Sequence, residues 1–176
     1  MNIKKTANLL INFAIKRLAE ISGIIVFVSG SLLFLALLTY SPDDPNFIFP
    51  NDTEIKNILG SKGSFISDLF LQSFGFVSYL ISLTFIVTGI NIFKSKEFFL
   101  IIENIFFTII YTFFATLFIS HYHSEAFILF INGNGGFVGS YLGQTFLKSF
   151  ILINEGLIYF LLILIISIFF LISINF

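Results

Sequence analysis

Few residues in this chain have side chains that could do chemistry, and their spacing narrows the options quickly. There is no cysteine, so neither a thiolate nucleophile nor a cysteine metal site can be built. No Gly-x-x-x-x-Gly-Lys-Ser/Thr phosphate loop occurs, so this segment alone is not expected to hydrolyse ATP. His121 and His123 stand two apart, which on a helix turns them to different faces. With Glu125 they fall short of a convergent zinc set of three or four ligands, and they read as a polar helix end. Glu103 is the one carboxylate inside a long apolar run. It sits near that run's start and reads as a boundary group rather than a proton relay. Two polar pairs, Asp68/Gln72 and Gln144/Lys148, are each four residues apart and so share a helical face. Such faces suit recognition of a partner. No cofactor is expected.

The elements that position these residues are apolar. Runs at about 21–40, 74–93, 98–120 and 157–174 are each long enough to cross a hydrocarbon core of about 30 Å as a helix. Transmembrane strands would show as alternating segments of about ten residues, and none is present. Composition agrees: 57% of the 176 residues are hydrophobic, 11% are charged, and mean hydropathy is +1.00. A soluble domain carries about 25% charged residues, so a soluble enzyme and a disordered chain are both excluded. The expected fold class is an all-α integral membrane protein with four transmembrane helices. The net charge of −1 gives no basic surface for nucleic acid, and no direct nucleic-acid contact is expected of this segment.

Lys and Arg set the expected orientation. Lys4, Lys5, Lys16 and Arg17 precede the first run, and Lys94 and Lys96 fill the short link between the second and third. These six of the nine basic residues fall on one side if four helices span, so both termini are expected in the cytoplasm and both long loops outside. Residues 1–20 read as a basic amphipathic segment, either lying on an anionic membrane face or extending the first span. Residues 21–176 read as the membrane domain.

A repeat runs through that domain. Residues 63–74 align without gaps to 139–150, and six of the twelve pairs are identical. Each copy follows a Gly-containing loop and precedes a spanning run. The pattern predicts two parallel hairpins, each with a short outer amphipathic helix, at about 64–73 and 140–150. Their apolar arcs are expected on lipid or on the bundle, and their polar pairs toward water or a partner.

The segment Tyr40-Ser41-Pro42-Asp43-Asp44-Pro45 leaves the first run as a helix exit. Ser41 and Pro42 offer an N-cap and first helical position before Pro45 stops the chain. Taken with Gly60–Gly63, Ser64–Ser73, Phe74-Gly75 and Asn134–Gly139, this stretch resembles the N-terminal four-helix membrane domain of the bacterial FtsK/SpoIIIE DNA translocase family. In that family a Tyr-Ser-Pro-x-Asp-Pro stretch ends the first helix. The resemblance makes Ser41, Pro42, Asp44 and Pro45 the family-motif loop. It implies a non-catalytic inner-membrane anchor, self-association, division-site membrane partners and a place at the septum. Family members continue into a DNA motor ring, whereas this sequence ends at Phe176 after the fourth run. It therefore reads as a fragment or a stand-alone module, and motor activity is carried onto no residue here. The alternatives are a small repeat-built transporter or channel subunit, which needs a polar path across the membrane, and a stand-alone division-site assembly factor.

Overall fold

A computed structural model describes residues 3–45, 54–123, 132–143, 145 and 154–175. Among these the order is α1 (Ile3–Leu38), α2 (Gly60–Phe74), α3 (Val77–Ser95), α4 (Leu100–Tyr122), α5 (Gly136–Leu142) and α6 (Glu155–Ser173). Four of these, α1 from Ala7 onward with α3, α4 and α6, are long and apolar enough to cross a membrane. With no strand among the described residues, the chain is an all-helical multi-pass membrane protein. In lipid only a helix satisfies every backbone group within its own segment, which is why these runs fold as they do.

The main helix partnerships are α1 with α3 and α4 with α6, and α3 and α4 join the two pairs. The α1–α3 crossing is backbone on backbone. A Cβ on Gly23 would lie 2.7 Å from Phe93 N and 2.8 Å from Gly89 O, so only glycine permits this approach. The short helices sit together at one end of the bundle, α2 on α1 and α5 on α4 and α2. We call this the loop end. The opposite link end holds residues 96–99 and the last turn of α6, where Asn91 donates to Ile174 O at 2.9 Å. At the link end Lys96 closes α3 in a left-handed conformation (φ 62°), its N–H donating to Ile92 O. Its ammonium lies 2.9 Å from Glu20 Oε1 and so ties α1 to the link.

The bundle buries small and polar side chains among its apolar ones and shows an almost wholly apolar surface. The buried face of α4 is Asn104, Thr108, Tyr111, Thr112, Ala115, Thr116 and Leu117, a stripe at three- and four-residue spacing. Large apolar side chains such as Phe106, Ile109 and Phe160 point outward and are well over half exposed. An apolar exterior is what a hydrocarbon solvent selects, and small and polar residues between the helices let them pack closely.

Several element starts are shifted from expectation, and the segment before the first span takes the second of its two expected forms. One unbroken helix runs from Ile3 through Glu20 into the first span. The first short helix begins at Gly60 rather than 64, after a turn in which Gly60 N donates to Asn57 O at 2.9 Å. The second begins at Gly136 rather than 140. Phe74 does not open the second span. It ends α2, because Gly75 adopts φ 59° and breaks the helix before α3.

Candidate functional site

The loop end gathers the family-motif residues, and buried hydrogen bonds hold it together. Tyr40 to Pro45 forms a single turn rather than a helix. Asp44 N donates to Ser41 O at 3.2 Å, and Ser41 Oγ accepts from Asp43 N at 3.4 Å. Pro42 lies within the turn, and Pro45 ends it before a second helical bond can form. Asp44 is buried at 3% exposure, yet its carboxylate is fully used: Oδ1 accepts from Lys56 N and Oδ2 from Asn57 N, both at 2.8 Å. Short bonds to an ionised acceptor are the strong kind. They fold the chain arriving at 56 and 57 back onto the exit of α1. Beside them the Lys56 ammonium lies 2.8 Å from the exposed Asp43 carboxylate, which raises its affinity for a proton.

Asn57 extends the clamp. Its Nδ2 donates to Ala36 O at 2.9 Å, a carbonyl that α1 leaves open in its last turn, and to Thr39 O just beyond the helix at 3.4 Å. Its Oδ1 accepts from Leu59 N at 3.1 Å, a local turn just before α2. A Cβ on Gly63 would collide with the Asn57 carboxamide, so the small residue is needed where the helix passes the clamp. Ser64 Oγ donates to Pro45 O at 2.8 Å and fastens α2 to the turn.

The second cap is built differently. Asn134 Nδ2 donates to His123 O, the C-cap of α4. Its Oδ1 is buried with no hydrogen-bond partner among the described residues. Most of the joint is backbone contact. Phe76 N donates to Asn134 O at 3.0 Å, Gly75 and Gly136 both take positive φ, and a Cβ on Gly136 would lie 2.5 Å from Ser73 O. Asn132 Nδ2 donates to Gln72 O and Oε1, both at 3.3 Å, which links the two caps.

The two polar pairs have different fates. Asp68 was expected on an open face with Gln72. It is instead buried at 6% exposure, and its Oδ1 accepts from Tyr40 Oη at 3.1 Å. Partial burial, with the Asp68 charge adding to it, pushes the Tyr40 hydroxyl well above the usual tyrosine range. Gln72 is half-buried against Asn132. Gln144 and Lys148 lie outside the described residues, as does Glu125. His121 Nε2 lies 3.9 Å from Glu155 Oε1, and Glu103 is exposed in the first turn of α4.

The sequence reading looked for ionisable groups inside the spans and so missed a column of neutral ones. Asn104 Nδ2 donates to Thr88 Oγ1 at 2.9 Å and to Asn175 Oδ1 at 2.8 Å. Toward the loop end, Thr84 Oγ1 and Tyr111 Oη share a hydrogen bond at 2.9 Å. The spacing of Asn104, Thr108, Thr112 and Thr116 carried the signal. Interhelical bonds of this kind contribute about 0.6–2 kcal/mol each and fix helix register. The column joins α3 to α4 and α6.

Comparison with known proteins places the chain in a family by its sequence. The chain resembles the DNA translocases FtsK of Caulobacter vibrioides (39% identity over 73 residues), Shewanella oneidensis (35% over 81) and Azospirillum brasilense (33% over 79). These matches cover 42%, 46% and 44% of the chain but only 9–12% of each relative's length. No solved structure matches. The sequence pattern of the 4TM region of DNA translocase FtsK/SpoIIIE matches residues 15–176, which takes in all four spanning helices and both caps, and the chain belongs to that family.

Proposed function

We propose that this chain is the inner-membrane anchor of an FtsK-like DNA translocase acting in cell division and chromosome segregation. The family match over residues 15–176 is the observation that carries the reading. In it the four helices hold the protein in the bilayer, and ATP-driven DNA movement belongs to a motor outside this segment. Both termini and the 96–99 link are cytoplasmic, which Lys16, Arg17, Lys94 and Lys96 at the link end support. The loop end faces outward. Division-site membrane partners are met through this end; Gln144 and Lys148, a polar pair in the sequence, are the proposed contacts, while Asp68 serves the fold. Self-association of the anchors helps assemble the motor.

Reporters of membrane side test the orientation. Fusions at Asn2, Lys96 and Phe176 read cytoplasmic, and insertions near Asn51 and Asn132 read external. A cytoplasmic signal near Asn51 overturns the arrangement. A fluorescent fusion of the chain gathers at the septum of dividing cells, and uniform membrane fluorescence overturns the division role.

A further inference from the structure

α1 is longer than the bundle it belongs to. Its close contact with α3 ends where Gly23 meets Phe93, and Glu20 pairs with Lys96 at the link end. The helix then continues outward to Ile3. Residues 3–19 add about 25 Å at 1.5 Å per residue, more than helix tilt absorbs. Every residue from Ala7 to Leu18 is exposed, including Leu10 at 66%, Phe13 at 59% and Leu18 at 60%.

This overhang has two faces, and each continues a face of the span. Ile11, Ala14, Leu18, Ile21, Ile25 and Val28 follow one another at three- and four-residue steps, and all are exposed. They form one apolar stripe that is lipid-facing within the span and runs on past the link end without a break. Asn8, Asn12 and Lys16 lie on the opposite side, in line with the buried Ala19 and with Gly23 and Gly30, which face α3. If the overhang turns from the membrane normal toward the lipid-facing side, its apolar stripe lies on the bilayer and its polar side faces water. A turn the other way, over α3, would set Asn8, Asn12 and Lys16 on lipid.

Charge selects the occupant. Lys4, Lys5, Lys16 and Arg17 stand against the single acid Glu20, which already pairs with Lys96 and Arg17. Two such segments from two copies repel, whereas an anionic headgroup layer attracts them. We propose that the α1 overhang is an interfacial anchor that lies on an anionic phospholipid surface at the link end, separate from the four spanning helices. The family match begins at residue 15, within this overhang.

The absence of cysteine makes the test direct. The full chain carrying Leu10→Cys or, as the polar-side control, Asn12→Cys is labelled with an environment-sensitive fluorophore. Each is reconstituted in nanodiscs of phosphatidylcholine with or without phosphatidylglycerol. With phosphatidylglycerol, the Leu10 label shifts to the blue and is quenched by lipid-borne quenchers, while the Asn12 label reads aqueous. Replacing Lys4, Lys5 and Lys16 with Gln weakens this anionic-lipid response by about fivefold for each charge removed. An aqueous Leu10 label in both lipids overturns the proposal. So does an equal blue shift in pure phosphatidylcholine, or a shift that appears only when a disc holds two copies, which would make a second chain the occupant.

Discussion

At the Asp44 cap a carboxylate and a carboxamide, every oxygen used, bind the backbone of a returning loop to the end of α1. At the Asn134 cap two glycines let backbone lie against backbone, and the one buried carboxamide is only half used. Each cap satisfies carbonyls at the end of a spanning helix and seats a short helix against it. The difference lies in what each can lose. A side-chain clamp loses one hydrogen bond at a time, and its neighbours stay where they are. A backbone contact has nothing to trim, so a single added methyl group forces two chain segments apart.

That contrast ranks the substitutions. Gly75→Ala is expected to cost most. Its Cβ would overlap the Asn134 carbonyl, and φ 59° disfavours any L side chain by about 1–2 kcal/mol before the clash is counted. The Phe76–Asn134 bond goes with it. A total of roughly 3–5 kcal/mol is expected, enough to abolish the folded membrane fraction. Yield in detergent and the melting temperature by circular dichroism measure it. If Gly75→Ala melts within a few degrees of the parent, the second cap is softer than its contacts require, and the contrast fails.

Asp44→Ala comes next. It leaves the Lys56 and Asn57 N–H groups without acceptors in a buried turn, for roughly 2–4 kcal/mol. Asp44→Asn keeps one acceptor oxygen but sets an NH2 against the other donor, so it should fall about midway. An Asn variant as damaged as the Ala variant would mean that the charge matters more than the count of bonds.

What the sequence showed and what it hid follow from the same physics. The four spans were legible because lipid demands long apolar runs, and length alone sets them apart from short strands. Glycine-broken joints were harder. Phe74 and Gly75 continue an apolar run, and only the positive φ at Gly75 places the break between them. The loop motif was visible as Ser41-Pro42-Asp43-Asp44-Pro45, yet the residue that Asp44 serves, Asn57, lies thirteen positions on in an unremarked stretch. Asp68 misled. Four-residue spacing to Gln72 predicts a shared face but says nothing about which way that face turns. Tyr40 at the end of α1 turns it inward. The neutral column on α4 was hidden because Thr and Asn score weakly in any search for ionisable groups.

The smallest effect expected is at that Tyr40–Asp68 contact, and it decides whether Asp68 belongs to the first cap or to a binding face. Tyr40→Phe removes the hydroxyl that the buried Asp68 Oδ1 accepts, while the ring keeps its place against the core of Leu33, Leu37 and Leu71. A loss of about 1–2 kcal/mol is expected. Asp68→Asn should lose less, because its amide oxygen still accepts from Tyr40. The pH dependence separates this bond from general packing. Burial and the neighbouring carboxylate both favour the neutral phenol, so the hydroxyl's affinity for its proton is higher folded than unfolded. Its contribution is therefore complete below the unfolded tyrosine value of about 10 and is lost as pH climbs from there through the folded value. The melting temperatures of parent and Tyr40→Phe should differ by a constant amount from neutral pH to about 10 and converge above it, while other tyrosines affect both alike. A gap that persists unchanged into strong alkali would assign the loss to packing. A neutral-pH gap of zero would leave Asp68 without a structural role at the cap and return it to the partner-binding face.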